Sequence, residues 1–140
     1  MTRPTPQADR TVAAATTDAG RRLVITLSLP SRDLSPNGRP GWRAKGKAVK
    51  RCRQTAHLLA LAARPGRPME RARVTCRFFF PDRRRRDRDN LLASLKAAFD
   101  GVADARVITN DAGMIHMPVE LLVDRVNPRV EISLEEVTDP

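Results

Sequence analysis

Residues 82–96 read DRRRRDRDNLLASLK. Asp87 and Asp89 stand two apart, and in an extended chain alternate side chains fall on the same side, so both carboxylates can close on one hard cation. Asp89 directly precedes an apolar helical pattern, a favoured N-cap position. Arg83, Arg84, Arg85, Arg86 and Arg88 crowd the acids of this stretch. Taken singly, a helix cap accounts for Asp89 and an arginine ion pair for Asp87. Taken together, they offer carboxylates to a metal inside a surface that attracts phosphate, and cutting nucleic acid needs both. A third carboxylate must come from another element. Asp111 follows the run RVITN, at a turn before the next strand, although Asn110-Asp111 is also ordinary turn chemistry. Lys96 lies seven residues after Asp89, near the same face of a continuous helix. Helical side chains lean toward the N-terminus, which brings its ammonium toward the acids; alone it would be a snorkelling surface lysine.

The elements that must position these groups follow from periodicity. Residues 1–20 are rich in Thr, Ala, Pro, Asp and Gln without a period, and read as a disordered tail before a domain spanning 21–140. Residues 22–29 alternate and are β-branched, which predicts a first strand. Residues 31–41 carry Pro36, Asn37-Gly38 and Pro40-Gly41, the marks of a loop. Residues 42–63 read as a helix whose core face is Ala48, Val49, Cys52, Ala56, Leu59 and Ala63. On another face Arg43, Lys47, Lys50 and Gln54 form a basic stripe. Residues 72–80 (ARVTCRFFF) predict a second strand. Leu91, Leu92, Leu95, Ala98, Phe99 and Val102 predict a second helix over 90–99, with Asp100-Gly101 at its C-terminal turn. A short strand over 106–109, a longer one over 114–124 and a last one over 129–137 complete the order. The sum is an α+β, two-layer domain: a mixed sheet with two helices packed on one face.

The chain has 140 residues, 26 basic and 16 acidic side chains and a net charge of +10. Nucleic acid is the commonest polyanionic partner for such a balance; an Arg-rich, solvated surface is the plainer explanation. The basic character is concentrated early: eight basic residues against one acid lie between Arg32 and Arg53, and six acids against two arginines follow from Val119. No apolar run approaches the roughly 18 residues of a membrane span, and Arg3 and Arg10 are not followed by a signal-like apolar stretch. The expectation is a cytoplasmic protein without a membrane partner. Cys52 and Cys76 read as buried, reduced thiols, and neither they nor His57 and His116 have zinc spacing.

The run Pro81–Leu91, followed by Lys96-Ala97-Ala98-Phe99-Asp100 and then by Asp111, resembles the RusA family of Holliday junction resolvases. The resemblance covers roughly residues 22–137 and rests on an arginine-rich turn, Asp-x-Asp-Asn at a helix start and an aspartate some twenty residues on. It implies a RusA-like fold and a homodimer that uses magnesium to nick four-way DNA junctions symmetrically. Asp87, Asp89 and Asp111 would then be the metal ligands. Two positions depart from the family pattern. The family's catalytic lysine commonly sits where Ala93 stands, which leaves Lys96 as the replacement. The first of two adjacent aspartates at the third site is here Asn110. DNA contacts would come from Arg43, Lys47, Lys50, Arg83, Arg84, Arg85, Arg86 and Arg88. Rival readings are a branched-DNA-binding protein with impaired catalysis, an endonuclease for flaps or forks, and a basic RNA-binding domain.

Overall fold

The computed structural model describes residues 16–17, 20–31, 34, 41–64 and 66–138. The rest of the expected tail and most of the 31–41 loop lie outside the described residues. Thr16–Thr17 (β1) do not belong to a tail: they pair antiparallel with the start of Gly20–Leu27 (β2). The chain continues through helix α1 (Trp42–Ala62), strand β3 (Ala72–Phe80), helices α2 (Arg88–Ala93) and α3 (Lys96–Asp104), and a single 3-10 turn at Asp111–Gly113. Strands β4 (Met114–His116), β5 (Glu120–Val123) and β6 (Arg129–Glu136) follow. Among the described residues the sheet runs β1-β2-β6-β3, with β4 and β5 in succession along the far edge of β3. β6 is antiparallel to both neighbours, whereas β4 and β5 are parallel to β3. The sheet is therefore mixed, as expected for this α+β class.

Alternation puts one apolar face of the sheet inward. Leu23, Leu134 and Val74 align across three strands, as do Ile25, Ile132 and Cys76, and Leu27, Val130 and Phe78. All nine are buried, with Ala56 and Ala60 of α1 and Ala98 and Val102 of α3 in the same core. Full burial of one such aliphatic or aromatic side chain contributes about 1.5–3 kcal/mol. Burial pushes the Cys76 thiol up to about 12, and both cysteines are free. At the end of the core, Arg21 forms a mostly buried pair with Glu136, Nη2 to Oε2 at 2.9 Å, which ties β2 to the end of β6.

Several expectations change. Val49 and Leu59, assigned to the core face of α1, are exposed, and so is Trp42. The single helix over 90–99 is two helices. The Ser94 hydroxyl donates to the Leu91 carbonyl oxygen at 2.6 Å, and Leu95 N–H reaches back only to Leu92 O, so the α ladder breaks at 94–95. Gly101 does not end the second piece. It lies inside α3 because α1 passes so close there that an added Cβ would run into the Arg53 carbonyl oxygen. The helix stops at Asp104, and Arg106 takes the left-handed conformation (φ 62) often given to glycine after a helix. Residues 106–109 make only an isolated bridge, Ile108 to Met69. The strand over 114–124 divides at Met117–Val119, where Pro118 has no N–H to give. Among the described residues, no helix is long and apolar enough to cross a membrane.

Candidate metal and nucleic-acid site

β3 ends in Phe78 and Phe80, whose rings stack with centroids 5.8 Å apart. The chain then turns, and the arginine loop folds back on this end. The Arg86 guanidinium lies over the Phe80 ring at 3.7 Å and pairs with Asp82 Oδ1 at 2.9 Å. Asp82 also accepts the Arg84 N–H at 3.0 Å. That backbone bond, with the Arg86 guanidinium second, holds the Asp82 carboxyl below its usual range. Asp82 and Arg86 thus close the turn on itself, while Arg83, Arg84 and Arg85 are exposed.

The loop delivers Asp87 to the start of α2. The N-cap is Asp87, not Asp89 as the sequence suggested: its Oδ1 accepts Asp89 N–H at 2.8 Å and Asn90 N–H at 3.2 Å. Asp89 occupies the first turn, where the helix dipole favours an anion. Both carboxylates are exposed, and Asp87 Oδ2 carries no hydrogen bond among the described residues. Arg88, between them, points back toward the sheet and donates from Nε to the Val119 carbonyl at 3.3 Å. It tethers α2 beside β5.

Asp111 opens the 3-10 turn before β4, exposed, with Asn110 capping that turn through the Ala112 N–H at 2.9 Å. Its level in the sheet follows from register. Met114 pairs with Ala72, whereas Glu120, next to the Arg88 tether at Val119, pairs with Arg77. Ala72 and Arg77 are five steps apart, roughly 16 Å along β3. The tether of α2 and the third aspartate are therefore offset along the sheet. No group of three or more His, Cys, Asp or Glu side chains among the described residues is placed to hold a metal ion.

Magnesium takes hard oxygen donors, often only one or two carboxylates, and completes its shell with water and phosphate oxygens. The exposed pair Asp87 and Asp89 fits that habit by donor type and accessibility.

Lys96 starts α3 rather than continuing the helix of Asp89, so the continuous-face argument that linked them fails at the 94–95 break. Its Nζ is 3.7 Å from Asp100 Oδ2. A cavity of about 260 Å³ opens at this break, lined among others by Lys45, Val49, Ala93, Ser94, Lys96 and Asp100. Lys45 shares a helical face with Val49, Cys52 and Ala56, and both Lys45 and Val49 are exposed. On the outer side Arg43, Lys47, Lys50 and Gln54 are all exposed, as the stripe required. The Arg43 guanidinium stands 5.1 Å over the Trp42 ring.

No family model matches the chain. A protein of Xylella fastidiosa (strain Temecula1 / ATCC 700964), described as an uncharacterized protein, is 39% identical to it over 100 residues. The match takes in 69% of this chain and 65% of that protein, so the chain spans just under two thirds of the relative's length. The similarity therefore places a related sequence in that bacterium and brings no activity with it.

Proposed function

We propose that the chain is a magnesium-dependent endodeoxyribonuclease of the RusA type, which nicks four-way junctions or related branched DNA as a homodimer. The observation that carries this reading is the exposed pair Asp87 and Asp89 at the start of α2, set directly after a loop with three exposed arginines. Asp87 and Asp89 would hold the ion; Asp111, the third carboxylate that the RusA resemblance implies, starts from another level of the sheet. Bound there, magnesium would lower the pKa of a water and neutralise charge on the scissile phosphate. The protein's own groups do the rest. The Asp87 cap fixes both carboxylates to a helix start, and Arg83, Arg84 and Arg85 draw the phosphodiester toward them. Arg86 shapes the loop that presents them. Two chains related by a twofold axis would offer two such sites to a symmetric junction.

The test is nicking of a four-way junction by the purified protein, with and without magnesium, against a flap substrate of the same sequence. Paired magnesium-dependent nicks are expected, and their absence on every branched substrate defeats the proposal. The second reading, a branched-DNA-binding protein without catalysis, draws on Ala93, Asn110 and the lack of a three-donor group among the described residues. Junction binding with no nicking would favour it.

Lys50 belongs to the outer stripe of α1 and would touch the DNA backbone. Lys50→Ala should weaken binding evenly across sequences and flatten the log-log salt dependence by about 0.9, the slope that one neutralised phosphate supplies. Trp42, the sole tryptophan and 79% exposed beside this stripe, provides a fluorescence signal for the titration. An unchanged slope removes the stripe from the interface.

A further inference from the structure

One face of α1 packs into the core at its C-terminal half and leaves it at its N-terminal half. Ala56 and Ala60 are fully buried. One and two turns earlier on that face, Cys52 and Ala48 are half-buried, and Ala44 is exposed. The small side chains at 44 and 48 leave a gap. A cavity of about 390 Å³ remains between α1 and the chain that leaves β2, lined among others by Leu27, Leu29, Leu34 and the fully buried Leu95. Its size is that of a small-molecule pocket, and most of its lining is apolar. Two cations stand at it, Lys47 and Arg51. They are four residues apart and so share one flank of the helix, roughly 5–6 Å between Cβ atoms. Among the described residues neither has an ion-pair partner, and no acid lines the cavity. Like charges at this spacing repel, and an anion set between them removes the repulsion.

We infer that this cavity binds a small organic carboxylate with an apolar body, whose hydrocarbon part lies against Leu27, Leu29 and Leu95 and whose head pairs with Lys47 and Arg51. The inference stands apart from the nuclease reading. Two features select the ligand class. Apolar walls disfavour a bare inorganic anion, because no burial of hydrocarbon offsets the loss of its hydration. The paired cations favour a charged head over a neutral one, since charge-assisted hydrogen bonds are the stronger kind. Cys52 lines the same cavity as a half-buried free thiol, so its accessibility reports whether the cavity is filled.

The experiment titrates the full chain calorimetrically with octanoate, 1-octanol and acetate. Octanoate should saturate one site per chain, 1-octanol should bind at least about tenfold more weakly, and acetate should give no measurable binding. The double variant Lys47→Ala/Arg51→Ala should weaken octanoate by about tenfold or more. The charge-matched control Arg22→Ala/Arg73→Ala, on the sheet face away from the helices, should bind as wild type does. Ala48→Phe fills the cavity and should abolish binding. Octanoate should also slow alkylation of Cys52 by iodoacetamide severalfold in the wild type, a measurement that needs no variant to fold. Buried Cys76, its thiol pushed up to about 12, serves as the unreactive reference. Equal loss in both double variants would reduce the effect to attraction by the net charge and overturn the inference. So would 1-octanol binding as tightly as octanoate, a folded Ala48→Phe protein that binds like wild type, or a Cys52 that octanoate leaves unprotected. A wild type without saturable binding overturns it outright.

Discussion

Asp87→Asn should abolish magnesium-dependent nicking, by about 100-fold or more, while the protein folds and binds DNA as before. The substitution removes one negative oxygen donor from the proposed ion and leaves the rest of the site in place. Asparagine is as good an N-cap as aspartate, so an amide oxygen can still accept the N–H groups of Asp89 and Asn90. α2 should keep its start, and the melting temperature should hold. Asp87→Ala gives the contrast: it removes donor and cap together, and about 1 kcal/mol of stability with them. Nicking rates and urea midpoints for the two variants separate the chemical role of this side chain from its structural one. An Asp87→Asn protein that cuts at the wild-type rate removes Asp87 from the site.

Gly101→Val should destabilise the whole domain by about 3 kcal/mol, the upper part of the range for overpacking. Its Cβ would run into the Arg53 carbonyl oxygen and stand 2.9 Å from His57 N and 3.0 Å from Ala56 Cβ. Most of these obstacles are backbone, so the side chain has nothing flexible to displace, and α1 and α3 must move apart. The bidentate pair between Arg53 and Asp104, Nε to Oδ2 at 2.7 Å, joins the same two helices and would be stretched with them. Gly101→Ala tests the smaller step: the helix-propensity gain of about 1 kcal/mol offsets part of the clash. For Gly101→Val, urea unfolding should show a lower midpoint at unchanged slope. The melting temperature should fall by roughly 10 °C. Wild-type stability in the valine variant would mean that the two helices do not meet at this point.

Where the sequence was read correctly, local pattern and tertiary structure agree. β3 spans 72–80 as expected because nine alternating, β-rich residues bury one face against the helices. Helix α1 begins at Trp42 and ends within one residue of the expected position. The failures have particular physical causes. Leu91, Leu92, Leu95, Ala98 and Phe99 keep a helical period straight through Ser94, so periodicity could not reveal a break made by one hydroxyl bonding to a carbonyl. Gly101 followed Asp100 and looked like a helix end, yet its missing Cβ serves a close approach to residues some fifty positions earlier. Val49 and Leu59 fit the apolar stripe of α1 but lie where no other element covers them fully. At the site, the residue types and the DxD spacing were legible, but the helix start was not fully so. The cap shifted from Asp89 to Asp87 because α2 begins at Arg88. The level of Asp111 depends on the pairing of β4 with β3, and the role of Arg88 on a carbonyl across the chain; neither is written in local sequence.

The division of the edge strand at Pro118 bears on how the sheet could add further strands. A continuous apolar border on a sheet is a template for addition of further strands and hence for aggregation. Here the border beyond β3 consists of segments of three and four residues. The proline between them withholds a donor, and Glu120 sets a charge at the start of the second segment, paired with Arg77 at 2.8 Å. Exposed Ile115, Leu122 and Val123 are thereby kept from forming one long ladder. The interruption shortens the ladder that an added strand could pair with.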